Sequence, residues 1–188
     1  MAPFAILTFM STRIAVVIGT GREDRRSIHI AQYVAEELQK RPEAPEVHLI
    51  DPREYLVSPF TIPAWVADEN AQKWRETAAH MDAFVLVVPE YNHSFSGELK
   101  LLLDSAFKEY KDKPVGLIGV SNGQYGGTRA LEHVLALVAT FKMYAVPYTV
   151  AISNIPELSE GKGGTVFDEQ RQQFLATMFD GVFSHISR

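Results

Sequence analysis

Val88-Pro89-Glu90-Tyr91-Asn92-His93-Ser94-Phe95-Ser96-Gly97 is the stretch on which the reading of this chain turns. It follows an apolar run, Ala83–Val88, and leads into a helical pattern beginning near Gly97. A buried strand that opens into a polar, aromatic loop and then a helix is where open α/β sheets hold ligands. The loop offers backbone N–H groups, a ring and an amide side chain, but no nucleophile–base pair. That composition suits holding a flat cofactor better than performing chemistry unaided. A plain structural turn with Tyr91 half-buried is the alternative, and Pro89 and Gly97 fit that as well.

Working outward, five apolar runs punctuate the chain: Ile14–Ile18, Glu46–Ile50, Ala83–Val88, Pro114–Val120 and Tyr148–Ile152. Three are rich in Val, Ile and Leu without clear alternation, as expected of strands buried on both faces of a parallel sheet. Helical spacing separates them, in Ile28/Ala31/Val34/Ala35/Leu38, in Leu99/Leu102/Leu103/Ala106/Phe107/Tyr110, from Thr128 to Met143, and from Phe174 to Ile186 with Asp168 as N-cap. A shorter, more polar helix is expected over residues 71–82. Strand and helix alternate throughout, which predicts a doubly wound α/β fold with a five-stranded parallel sheet in the order 2-1-3-4-5 and helices on both faces. Two loops, Asp51–Glu69 and Ser153–Thr165, exceed what a tight crossover needs, as binding elements or covers do.

Two further loops resemble the first in richness. The first strand ends in Gly19-Thr20-Gly21-Arg22-Glu23-Asp24-Arg25-Arg26-Ser27 before a helix near Ile28. Glycine permits a tight turn, Thr20 and Ser27 supply hydroxyls, and a helix N-terminus favours an anion. The alternative is a capped helix start with solvated arginines. The fourth strand ends in Ser121-Asn122-Gly123-Gln124-Tyr125-Gly126-Gly127, where glycines allow close backbone approach or merely a flexible connection. In the order 2-1-3-4-5 the first, third and fourth strands are neighbours, so all three loops converge on one edge of the sheet. Independent turns have no reason to coincide there.

With 188 residues, one domain burying roughly 70% of its unfolded surface is expected. The net charge of −5 argues against nucleic acid as partner, since phosphate binding needs a basic face. Absence of cysteine excludes disulfides, cysteine-held iron–sulfur clusters and thiolate catalysis. No stretch approaches the ~20 apolar residues of a membrane span. Residues 1–12 lack the basic start of a signal peptide and read as a dispensable extension, with Met10 an alternative start and 13–188 the domain. The cytoplasm is the expected compartment.

These pieces together resemble the NAD(P)H-dependent FMN reductase family of flavodoxin-like proteins, which includes quinone, azo-dye and chromate reductases. The resemblance rests on Gly19-Thr20-Gly21-Arg22 with Ser27, on Pro89-Glu90-Tyr91-Asn92-His93-Ser94 with Gly97-Glu98-Leu99-Lys100, and on Ser121 to Gly127. It implies bound FMN, NADPH or NADH as donor, and a small acceptor such as flavin, quinone, azo compound or chromate. By position it puts Thr20, Arg22, Ser27 and Ile28 around the FMN phosphate. Pro89, Glu90, Tyr91 and Asn92 would hold the isoalloxazine edge through backbone amides, and Ser121, Gly123, Gln124 and Gly126 would line the other side. Glu23-Asp24-Arg25-Arg26 lengthens the usual gap between Arg and Ser, so Arg25 or Arg26 is an alternative to Arg22. The three arginines also suit a nucleotide 2′-phosphate. Relatives build dimers with the counterpart of Pro59–Trp65, which implies a homodimer or homotetramer. His93 reads either as a substrate contact or as a surface histidine. A flavodoxin-type electron carrier is the competing function, although its Thr-rich phosphate loop and strongly acidic surface are absent; a module of this fold without flavin is the third.

Overall fold

A computed structural model describes residues 11–56, 58–156 and 161–186. The apolar runs become five parallel strands: β1 (Arg13–Ile18), β2 (Glu46–Ile50), β3 (Ala83–Pro89), β4 (Pro114–Val120) and β5 (Tyr144–Ile152). Their order is β2-β1-β3-β4-β5, as the alternation of elements predicts. The three central strands, β1, β3 and β4, are those without alternation, and they are buried along almost their whole length. Helices on both faces leave them no solvent side, so each position can be apolar.

Side chains alternate between two cores. Ile14, Val16, Ile18, Val85 and Val87 face α1 (Ser27–Gln39) and α5 (Glu169–Ile186). Ala15, Val17, Phe84, Leu86 and Val88 face α2 (Glu69–His80), α3 (Gly97–Asp104) and α4 (Thr128–Thr140). Each fully buried Val, Leu, Ile or Phe stabilises the fold by about 1.5–3 kcal/mol, so the two layers supply most of the driving force.

Helix ends differ from the spacing-based expectations for local reasons. Asp68 caps α2 by accepting from the N–H groups of Asn70 and Ala71, at 3.0 Å each, so the helix starts at Glu69. The pattern from Leu99 to Tyr110 is broken: α3 stops at Asp104, and a single 3₁₀ turn, Lys108–Tyr110, returns Tyr110 to the core. Similarly, α4 ends at Thr140, short of Met143. Asp168 does cap α5, accepting from the Arg171 N–H at 2.8 Å. β5 begins four residues before the apolar run. It is an edge strand with many exposed positions, and it carries Pro147 beside a register irregularity, a place where the missing N–H is tolerated.

Most of the expected extension, residues 1–10, lies outside the described residues. Ser11 and Thr12 are joined to the sheet: Ser11 Oγ donates to Ala44 O at 3.0 Å, and Thr12 O accepts from the Glu46 N–H at 2.8 Å.

Candidate active site

The first loop leaves β1 so close to β3 that only glycine fits. The Gly19 N–H donates to Val87 O at 2.8 Å, and a Cβ there would lie 2.4 Å from that same oxygen. Ser96 then fastens this loop to the third one. Its hydroxyl donates to Gly19 O at 2.6 Å and accepts from the Leu99 N–H at 3.1 Å, capping α3. Thr20 is wholly buried; its Oγ1 accepts from the Arg22 N–H at 3.2 Å and from the Tyr91 hydroxyl at 3.4 Å. Thr20 therefore braces Tyr91 from beneath instead of standing among the lining residues.

The third loop is a closed turn. The Tyr91 N–H donates to Ser94 O at 2.7 Å and the Ser94 N–H returns to Tyr91 O at 2.9 Å. Between them Asn92 and His93 both have positive φ, 48° and 68°, the backbone of a type I′ turn that Asn tolerates best. The Glu90 N–H is also engaged, donating to Val120 O at 2.9 Å. Pro89 has no N–H, so the expected row of free amides is reduced to that of Asn92. Asn92 and His93 are exposed on the tip of the turn.

In the fourth loop the glycines divide. Gly126 and Gly127, with φ of 59° and 84°, pack their backbone against Ala151 and Val120, where a Cβ would meet atoms at 3.0 and 2.4 Å. They shape the turn and do not line the crevice. Gly123 is roomier, its N–H donating to Ser121 Oγ at 2.9 Å.

A crevice of about 890 Å³ opens where the three loops meet, at the carboxyl edge of β1, β3 and β4. Arg22, Ser27, Ile28, Pro89, Glu90, Tyr91, Ser121 and Gly123 line it; Thr20, Asn92, Gln124 and Gly126 do not. That size accommodates a mononucleotide-scale ligand within the usual range of small-molecule sites.

Its polar groups are unevenly satisfied. No side chain caps α1; the His29 N–H donates to Arg26 O at 3.1 Å, and the Ser27 and Ile28 amides remain at the crevice with no partner among the described residues. Ser27 Oγ is buried without a partner among the described residues, and so is Arg25 Nε. The Arg25 guanidinium otherwise pairs with the Asp51 carboxylate, which also caps the turn after β2 by accepting from the Arg53 N–H at 3.0 Å. Arg26 reaches across the mouth to Asn122 Oδ1 and Ile155 O, both at 3.2 Å. Arg22 is exposed on the rim, with no side-chain hydrogen bond or ion pair to the described residues. The sequence distinguished these three arginines only by order; their partners distinguish them by availability.

Residues the sequence reading did not single out complete the site. Asp51 fixes Arg25, Arg53 Nε donates to Gly21 O at 2.6 Å, and Arg129 of α4 lies 2.5 Å from Glu90 Oε1. Asp51 could have been found as the first polar residue after the second strand, at the same sheet edge. Arg129 carried no signal beyond its place in the first turn of a helix. Among the described residues there is no cluster of three or more His, Asp or Glu that could hold a metal, and no helix long and apolar enough to cross a membrane.

Against known proteins, residues 12–157 match the family model described as NADPH-dependent FMN reductase. An NAD(P)H-dependent FMN reductase, ntnL of Nectria sp, is 27% identical over 148 residues, 70% of this chain and 71% of its own length. An FMN-dependent NADPH-azoreductase of Staphylococcus aureus is 27% identical over 177 residues, covering 92% of this chain and 94% of its own. In structure, the NAD(P)H:(acceptor) oxidoreductase FerB of Paracoccus denitrificans superposes with a TM-score of 0.74 at 22% identity, over 93% of this chain and 98% of that one. The parallel sheet order, the three-loop crevice and the match over most of its length agree: this chain belongs to the NADPH-dependent FMN reductase family.

Proposed function

We propose that this protein is an FMN-dependent oxidoreductase that carries reducing equivalents from NAD(P)H to a small acceptor such as a flavin, quinone, azo compound or chromate. One observation carries the reading: a helix start without a side-chain cap and a buried Ser27 hydroxyl with no partner among the described residues stand in a crevice built from three sheet-edge loops. Unpaired N–H and O–H donors at a positive helix end are a phosphate site in waiting. FMN fits these residues, with a phosphate for that end and a flat ring for the walls at Pro89, Tyr91, Ser121 and Gly123.

When bound, FMN supplies the two-electron chemistry between the reduced nicotinamide and the acceptor. The chain's own part is to orient and to shield. Ser27, the α1 amides and the rim guanidinium of Arg22 would hold the phosphate; Arg25 stays with Asp51, and Arg26 bridges to the fourth loop. Tyr91, braced by Thr20, fixes one wall. The wide mouth leaves room for a donor and an acceptor in turn, so no dedicated acid–base pair is required. Domain boundaries of 13–188, a cytoplasmic setting and a homodimer or homotetramer go with this reading. Phe60 and Trp65, 77% and 87% exposed, offer apolar surface for a second copy.

Steady-state oxidation of NADPH and NADH by the FMN-loaded protein, across a panel of quinone, azo dye, free flavin and chromate, tests this. Turnover with at least one acceptor is expected. FMN-loaded protein that consumes neither nucleotide would instead favour an electron carrier.

A further inference from the structure

We propose that Arg129 is a positioning residue that holds the crevice together and neutralises a carboxylate buried in its wall. The proposal rests on FMN being the occupant. Glu90 directly follows β3 with its side chain only 4% exposed, and its Oε1 lies 2.5 Å from Arg129 Nη2. Its other oxygen, Oε2, is buried with no partner among the described residues, and Arg129 Nε is in the same state. A carboxylate so placed is costly to keep charged unless a cation stands against it. Arg129 is that cation.

The same arginine joins two walls. Its guanidinium lies 5.0 Å from the ring centroid of Tyr125, in the fourth loop, while its ion pair grips the third. One helical turn further along α4, His133 Nδ1 hydrogen-bonds Ser94 Oγ at 2.9 Å. Residues four apart share a helix face, so α4 tethers both ends of the 90–94 turn. Among the described residues, the other hydrogen bonds that hold that turn from outside run to Val120 O and Thr20 Oγ1.

Removing Arg129 leaves a naked carboxylate in the wall and frees the turn. A lone negative charge beside an electron-accepting ring opposes electron uptake, and the Glu90 carboxylate is buried, where a charge is screened less than at an open surface. A purely architectural arginine would lower stability without changing the potential.

The test compares wild type, Arg129→Met, Arg129→Lys, Glu90→Gln and the Glu90→Gln/Arg129→Met double variant. FMN affinity is read by fluorescence titration, the midpoint potential of bound FMN by spectroelectrochemistry, and melting is followed on the apo-proteins. Arg129→Met should bind FMN on the order of tenfold more weakly and shift the potential to more negative values. The double variant should recover most of the shift in potential, because it removes the unpaired charge, but not the affinity lost with the tether; Arg129→Lys should recover part of both. Equal affinity and potential in all five proteins would overturn the proposal while leaving the FMN reading intact. A shift in potential in Arg129→Met that the double variant does not relieve would also overturn it. Wild-type protein that takes up no FMN contradicts the functional reading itself, and with it this role for Arg129.

Discussion

Arg75 and Arg129 are both arginines on helices packed against the same face of the sheet, yet they are used in opposite ways. Arg75 is buried and every arm is satisfied by neutral oxygen: Nε donates to Ser105 O at 2.7 Å, Nη1 to Val66 O at 2.8 Å and Nη2 to Pro63 O at 3.0 Å. It pins the long loop before α2 to the end of α3, and leaves nothing over. Arg129 meets a carboxylate instead, and each partner keeps an atom unpaired among the described residues. The contrast teaches where to look: a completed polar network is architecture, and an incomplete one marks a wall that has business with something else.

Breaking the completed network should cost the most. Arg75→Met strands three carbonyls and should destabilise the protein by about 3 kcal/mol in urea unfolding, while the folded fraction binds FMN as wild type does. A loss of FMN affinity in that fraction would show that the two networks are not separate.

Next in size is Tyr110→Phe. The Tyr110 hydroxyl accepts from Trp74 Nε1 at 2.6 Å and donates to Leu103 O at 3.1 Å, so its removal should cost about 1–2 kcal/mol. Burial pushes the phenol well above its ordinary value of 10.0. The folded state therefore keeps a proton that the unfolded chain releases. This contribution is complete below pH 10 and declines as pH rises above it toward the folded value. Tyr110→Phe should flatten that alkaline decline, and denaturation curves at a series of pH values would register it; an unchanged slope contradicts the assignment.

Ser27→Ala sharpens the comparison from the other side. The hydroxyl has no partner to lose, so stability should stay within about 0.5 kcal/mol of wild type. FMN affinity should nonetheless fall by roughly fivefold, since a hydrogen bond to the phosphate goes with it. Stability loss with unchanged affinity would make Ser27 part of the architecture.

Sheet order, helix faces and the convergence of three loops were legible because burial on two faces writes itself into composition, as in Ala83–Val88. The Asp168 cap was legible for the same kind of local reason. The inner workings of the site were not. Asn92 and Tyr91 read as ligand contacts through their amides; Tyr91 does line the crevice, but its N–H closes the turn, and Asn92 takes up the positive φ that the turn needs. Three glycines in five positions read as a single device, whereas Gly126 and Gly127 serve backbone packing and Gly123 alone faces the crevice. Arg22, Arg25 and Arg26 differ only in what stands opposite each, and Asp51, Asn122 and Ile155 come from other parts of the chain. Partnerships across the fold leave no mark on local spacing.

The most direct measurement is a titration of the apo-protein with FMN and with riboflavin, followed by flavin fluorescence. Saturable binding of FMN, with riboflavin weaker by roughly tenfold or more for want of the phosphate, is the expected result. Equal binding of both would remove the phosphate site at α1, and binding of neither would contradict the crevice's assignment altogether.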